Sequence, residues 1–177
     1  MDIFLGLSSP LLLGDIKDDD TKKFLQTISR FCDELLIKAR KFDGLANEYL
    51  KFTDEGGLAI KLIAGEALSR GMVLRASPTE DNTAIMVDAN GDMPIGIAYS
   101  DAADGEFIWV VVSGIAYVLF KVGVTGTKGH IIHVSDTAGY AQDAATIPEV
   151  ALHNREIGHV LETGSSGGLA RSVLHFN

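Results

Sequence analysis

The sequence predicts a mainly β protein, an antiparallel barrel or sandwich preceded by a helical segment. Three observations predict it. Beyond Gly56-Gly57 the chain runs in short apolar stretches separated by Gly, Asp and Asn. These give about nine strands at roughly ten-residue spacing, with no helical stretch between them. Before that point the apolar residues recur at three- and four-residue steps, the period of a helix face. Within the β pattern lies Ala64 to Ser77, AGEALSRGMVLRAS, whose glycines Gly65 and Gly71 mark corners. Glycine reaches positive φ without a steric cost, which suits it to such corners.

Taken in order, residues 1–15 carry Ile3, Phe4, Leu5, Leu7, Leu11, Leu12 and Leu13, interrupted by Ser8-Ser9-Pro10. The proline forbids one continuous helix, and so much apolar surface must lie either on this domain or on a neighbour. Asp18-Asp19-Asp20-Thr21 is suited to a helix N-terminus, where carboxylates meet free N–H groups. Phe24, Ile28, Phe31, Leu35, Phe42, Leu45 and Tyr49 then form a stripe widened by Leu25, Cys32, Leu36 and Ala39. A helix is expected over 20–41, with a second short helix over 45–52 after Asp43-Gly44. Packing on the sheet is the first reading of the stripe, with Cys32 buried in it. A heptad reading (28, 31, 35, 38, 42, 45, 49) allows a coiled coil, with Lys38 in the seam. Asp54-Glu55-Gly56-Gly57 marks the boundary between an arm-and-helix segment, 1–55, and a β domain, 56–177.

In the β domain, strands are expected at Leu58 to Ile63, Met72 to Arg75, Thr83 to Val87, Met93 to Tyr99, Phe107 to Val112, Ile115 to Val122, His130 to Val134, Glu156 to Leu161 and Leu169 to Phe176. Asn90-Gly91 is a hairpin signal, and Ser113-Gly114 reads as a corner. Residues 135–154, with Pro148, read as a long polar loop. The strand Phe107-Ile108-Trp109-Val110-Val111-Val112 is apolar on both alternating faces, so both are expected to be covered. Trp109 is most simply a core aromatic. The face not covered by the domain's own core would be covered by the helical segment or by another subunit.

Composition bounds the function. The chain has 177 residues, 46% hydrophobic and 22% charged, with a net charge of −9. The charge divides as −3 over residues 1–55 and −6 over 56–177, so neither part is a basic nucleic-acid arm. The single Cys32 has no disulfide partner within the chain, and no CxxC pattern is present. The longest apolar runs fall short of the roughly 18 residues that cross a membrane as a helix. Met1 to Asp15 lacks the basic start of a signal peptide.

No motif carries catalysis. His130 and His133 are three apart on a strand and point to opposite faces, so they do not share an ion. His153 and His159 have no Cys or carboxylate at ligand spacing. Ser165-Ser166 lies in a glycine loop without a GxSxG elbow. Asp81, Asp88, Asp92, Asp101 and Asp104 sit in turns, where Asp bonds its own backbone. Gly123, Gly126 and Gly129 with Lys128 do not make a phosphate loop. No cofactor, metal ligand or catalytic residue is therefore assigned.

From Leu58 onward the order of motifs resembles the small capsid decoration (cement) proteins of tailed bacteriophages. The likeness is carried by Ala64-Gly65 with Gly71, by Ile95-Gly96-Ile97-Ala98, by Ala102 to Glu106 with Gly114, and by Ile157-Gly158. The AGEALSRGMVL stretch also resembles β-clip and SAF-type modules, and distantly the biotinyl/lipoyl hammerhead, whose modifiable lysine it lacks. The resemblance implies a β-tulip or β-clip-like fold and a non-enzymatic virion protein. Such a protein, made in the host cytoplasm, would bind the major capsid protein on the capsid exterior as a homotrimer. On that reading the capsid and subunit contacts fall to Ile3, Phe4, Leu5, Leu7, Leu11, Leu12, Leu13 and Trp109. Two alternatives stand beside it: a ligand- or sugar-binding module of a head fibre, and a small β-clip hydrolase using Asp and His.

Overall fold

The computed structural model describes residues 19, 23, 27–36, 48–91, 93–146 and 150–176, the last stretch without the side chains of 150–152. The chain divides into two compact units, Met1–Leu45 and Ala46–Asn177. Residues 46–55 go with the second because strand β1 (Leu50–Phe52) pairs antiparallel with β2 (Gly57–Ala64), Lys51 lying opposite Ala59. The sequence expects helix over 45–52. Glu48 and Tyr49 are helical, but the next three residues join the sheet, because β2 offers a free edge whose backbone groups they satisfy.

In the first unit, residues 23 and 27–36 are helical, within the expected span of 20–41, and Asp19, one residue before it, is helical too. Arg30 and Glu34 pair one turn apart at 3.5 Å on the polar side. The second unit holds the remaining strands: β3 (Val73–Ala76), β4 (Thr83–Met86), β5 (Gly96–Ala98), β6 (Phe107–Leu119), β7 (Ile131–Val134), β8 (Ala141–Ala144), β9 (Glu156–Val160) and β10 (Leu169–Leu174).

The pairings close two rings that share β6. In the first, β2 pairs β4, β4 pairs β3, β3 pairs β5, β5 pairs β6, and β6 returns to β2. In the second, β6 pairs β10, β10 pairs β9, β9 pairs β7 and β7 pairs β8. A parallel bridge from Phe120, just past β6, to Ala141 closes it. Closure removes exposed strand edges. The fold is thus the mainly β barrel that the sequence predicts, and the parallel Phe120–Ala141 bridge is joined by one parallel strand pair. β2 and β4 run parallel, with Ile63 opposite Thr83, because the β3–β4 hairpin folds back to place β4 beside the end of β2.

Each ring has its own core, and the switch between them sits in β6. Leu58 pairs Ser113 but Ala59 pairs Val111, so Val112 is an extra residue and β6 bulges there. A one-residue bulge reverses which alternate residues face which side. Before it, Ile108 and Val110 join a core that includes Leu74 and the small residues Ala64, Ala84, Ala98 and Ala102. Trp109 and Val111 face the other way. After it, the even residues Ala116 and Val118, and then Phe120, join Val111 in the second core with Ile132, Val134 and Ile157. Both faces of Phe107 to Val112 are therefore covered within one chain, apart from Phe107 itself, which is exposed.

Ser113-Gly114 is accordingly not the end of a strand. Gly114 has φ of 83°, and a Cβ there would lie 2.6 Å from the Gly56 carbonyl oxygen, so the position admits only glycine. Two further expectations give way to tertiary pairing. Asn90-Gly91 does turn, with Asn90 at φ of 54° and Gly91 N–H donating to Asp88, but β3 lies between β4 and β5, so no hairpin forms there. The polar stretch 135–154 contains β8 and a 3-10 helix, Val150–Arg155. The β7–β8 turn is held by Val73 N–H donating to the Gly139 carbonyl and Gly139 N–H to that of Val87, both at 2.9 Å.

A second bulge, in β9, opposes Ile132 with Gly158 and His133 with Glu156. Gly158 has φ of 153°, and a Cβ there would overlap the Val173 carbonyl oxygen on β10. Gly158→Ala is expected to cost about 3 kcal/mol or more in urea unfolding, from backbone strain together with overlap. Gly105→Ala, also at positive φ but with open space around it, is expected to cost only about 1–2 kcal/mol. Equal losses would contradict the close passage of β9 and β10.

Candidate functional site

Three features stand out among the described residues. The first is the apolar stripe of the helix. Ile28, Phe31, Leu35 and Leu36 are 43%, 61%, 50% and 51% exposed. They recur at the spacing of one helix face. Cys32 is exposed as well, where the sequence expects it buried.

The second is a patch of cations on aromatic rings. Lys51 lies opposite Ala59, and Ala59 opposite Val111. The short alanine leaves room for the lysine to cross towards Tyr99 and Trp109, placing Nζ 4.2 Å and 4.9 Å from their ring centroids. Trp109 is half-buried, packed against the second core, and covered by this lysine. Arg70 lies 5.0 Å from the Tyr117 ring, and its Nη2 meets Glu55 Oε1 at 3.0 Å. Its backbone N–H donates to Asp101 at 2.7 Å. Glu55, Arg70, Tyr99, Ser100 and Asp101 line an open cleft of about 350 Å3. Partial burial raises the Tyr99 phenol above its usual range, and the carboxylates of Glu55 and Asp54 add to the effect.

The third is a cluster of histidines around Glu156. The sequence gives His153 and His159 no carboxylate partner, but the fold supplies one. His153 Nδ1 lies 3.3 Å from Glu156 Oε2, and His175 Nε2 lies 3.8 Å from Oε1. Sequence spacing missed this because His175 arrives from β10, and because the β9 bulge changes which residues share a face. The signal that could have found it is the Ile157-Gly158 pair, since a glycine inside a strand marks a bulge.

The remaining candidates do not converge on a catalytic arrangement. His130 Nδ1 meets Asp143 Oδ2 at 2.7 Å, and Asp143 Oδ1 accepts from Thr127 N–H at 3.0 Å. The pair ties the 124–130 loop to β8. Among the described residues, no hydroxyl bonds to the other nitrogen of His130. His133 turns away to its neighbour's carbonyl, that of Val134. Ser165 shapes its own loop, accepting from Gly168 N–H through its carbonyl. The contacts expected of Ile3, Phe4, Leu5, Leu7, Leu11, Leu12 and Leu13 fall outside the described residues. No described helix is long and apolar enough to cross a membrane.

Trp109 is the one tryptophan, so its fluorescence reports the Lys51 contact. Lys51→Ala is expected to shift the Trp109 emission and to cost about 0.5–1 kcal/mol in chemical unfolding. An unchanged spectrum would mean that the lysine is not held over the ring.

No protein-family model matches the chain, and no curated protein sequence matches it. Among solved structures, it is similar to the head fibre gp8.5 N base of bacteriophage phi29. The two align with a TM-score of 0.50 and 16% identity, over 66% of this chain and 92% of that one. At this identity the likeness shows a shared fold. The likeness is to a fibre base.

Proposed function

We propose that the protein is a structural, non-catalytic component of a tailed-phage virion, a homotrimer that sits on the capsid exterior as a fibre base or decoration protein. The observation that supports the virion role is the fold shared with almost the whole of a head fibre base. The exposed stripe Ile28, Phe31, Leu35 and Leu36 supports self-association. A coiled coil, which the heptad reading allows, buries such a stripe against its own copies. In this reading Met1 to Asp15 reaches the major capsid protein. An extended apolar arm gains affinity by lying along a neighbour or adding a strand to it.

Of the alternatives, a module of a head fibre fits the shared fold equally well, while ligand binding and hydrolysis draw no support from the site geometry. A sugar-binding site needs open aromatic faces, and Lys51 already occupies the Tyr99 and Trp109 rings. A hydrolase needs a nucleophile beside its base, and the His130–Asp143 pair has no such partner among the described residues.

Light scattering at micromolar concentration is expected to give a trimer mass. Phe31→Glu with Leu35→Glu is expected to yield folded monomer, since a carboxylate cannot enter an apolar seam without a partner. A wild-type monomer would refute self-association. Deleting residues 1–14 is expected to leave a folded, soluble oligomer that no longer sediments with capsids. Capsid binding at wild-type affinity would move the contact to the β domain, and unfolding would place the segment in the core.

A further inference from the structure

We propose that Glu156, His159 and His175 form a binding site for a divalent transition-metal ion, zinc above all, with His153 orienting the carboxylate. The inference is independent of the virion role.

The argument begins with the backbone. On a regular strand, residues 156 and 159 would point to opposite faces. The β9 bulge removes that obstacle. Glu156 pairs His133 and His159 pairs Ile131, and those two partners are two residues apart on β7, hence on one face. On the other side His159 pairs Val173 of β10, and His175 follows two residues later. The topology therefore brings a carboxylate and two imidazoles to one face of the sheet from two strands. Their ligand atoms all lie within 4.8 Å of one another. The His159 and His175 ring centroids are 4.8 Å apart and tilted by 42°.

The chemistry of the set selects the ion. Imidazole nitrogen suits zinc, copper and nickel, whereas calcium and magnesium prefer oxygen throughout. Zinc holds nitrogen and oxygen ligands at about 2.0–2.2 Å in a tetrahedron. That places ligands about 3.4 Å from one another, so the 3.8 Å from Glu156 Oε1 to His175 Nε2 needs little change. His175 stands just past the end of β10 with its side chain 41% exposed, free to close the remaining gap by side-chain rotation. Glu156 is almost buried, and His153 holds its other oxygen at 3.3 Å. A hydrogen bond to the far oxygen is the usual way in which a ligating carboxylate is oriented. Three protein ligands leave a fourth position for water. The ion would act as a pin joining the 3-10 segment, β9 and the end of β10.

The test uses the untagged full-length chain. Calorimetric titration with zinc chloride is expected to show one ion per chain, and cobalt(II) is expected to give the visible spectrum of a four-coordinate site. Zinc should raise the melting temperature, because it binds the folded state alone. His159→Ala and His175→Gln should each weaken binding by more than about tenfold, and His153→Ala by roughly tenfold, the loss usual for an orienting partner. His130→Ala should leave binding unchanged. If His159→Ala fails to fold, the exposed His175→Gln decides the matter. The proposal is overturned if zinc gives neither heat nor a thermal shift, or if His175→Gln binds as the wild type does.

Discussion

The second unit depends on β6 serving two rings at once. A strand of thirteen residues runs from Phe107 to Leu119, its pairing interrupted at the bulge of Val112. Its first half is shared by β2 and β5, and its second half pairs β10. Two cores can be served by one strand only if its inward face changes midway. The extra residue at Val112 makes that change, and the tight crossing of Gly56, Gly57 and Gly114 gives the bulge the space it needs. Bulges of this kind direct side chains as well as bending strands. The four alanines of the first core follow from the same arrangement, because a closed ring of five strands has room for little else inside.

The two units stand in contrast. The β unit buries its apolar strands within one chain and closes nearly all of its edges. In the helix, Ile28, Phe31, Leu35 and Leu36 are exposed. The net charge of −9 disfavours indiscriminate contact between copies.

The outer face of the β unit uses charge in a local way. Lys51, Lys61 and Arg70 each lie over an aromatic ring. This covers Tyr99, Trp109, Phe107 and Tyr117 with groups that also keep the surface wet. Elsewhere on that unit, Arg75 pairs Asp88 and Lys121 pairs Asp136, each at 3.0 Å or less. The 2.7 Å contact with Lys121 holds the Asp136 carboxyl below its usual range.

Local pattern was enough to predict the fold class, the helix and most strands, because period-two and period-3.6 spacing are properties of neighbours along the chain. The turn at Asn90-Gly91 and the corner glycine Gly71 were legible for the same reason: only the backbone at that position decides them. The parallel pairing of β2 with β4, the insertion of β3 behind Asn90-Gly91, and the recruitment of the polar Ala141–Ala144 as a strand were not legible. Each depends on which distant edge is free, and an edge is a property of the assembled sheet. The continuity of β6 through Ser113-Gly114 belongs with them, since a glycine at positive φ serves a bulge as well as a turn. The gathering of Glu156, His159 and His175 came from tertiary structure alone, through a bulge and a strand partner that lie together only once both rings have closed.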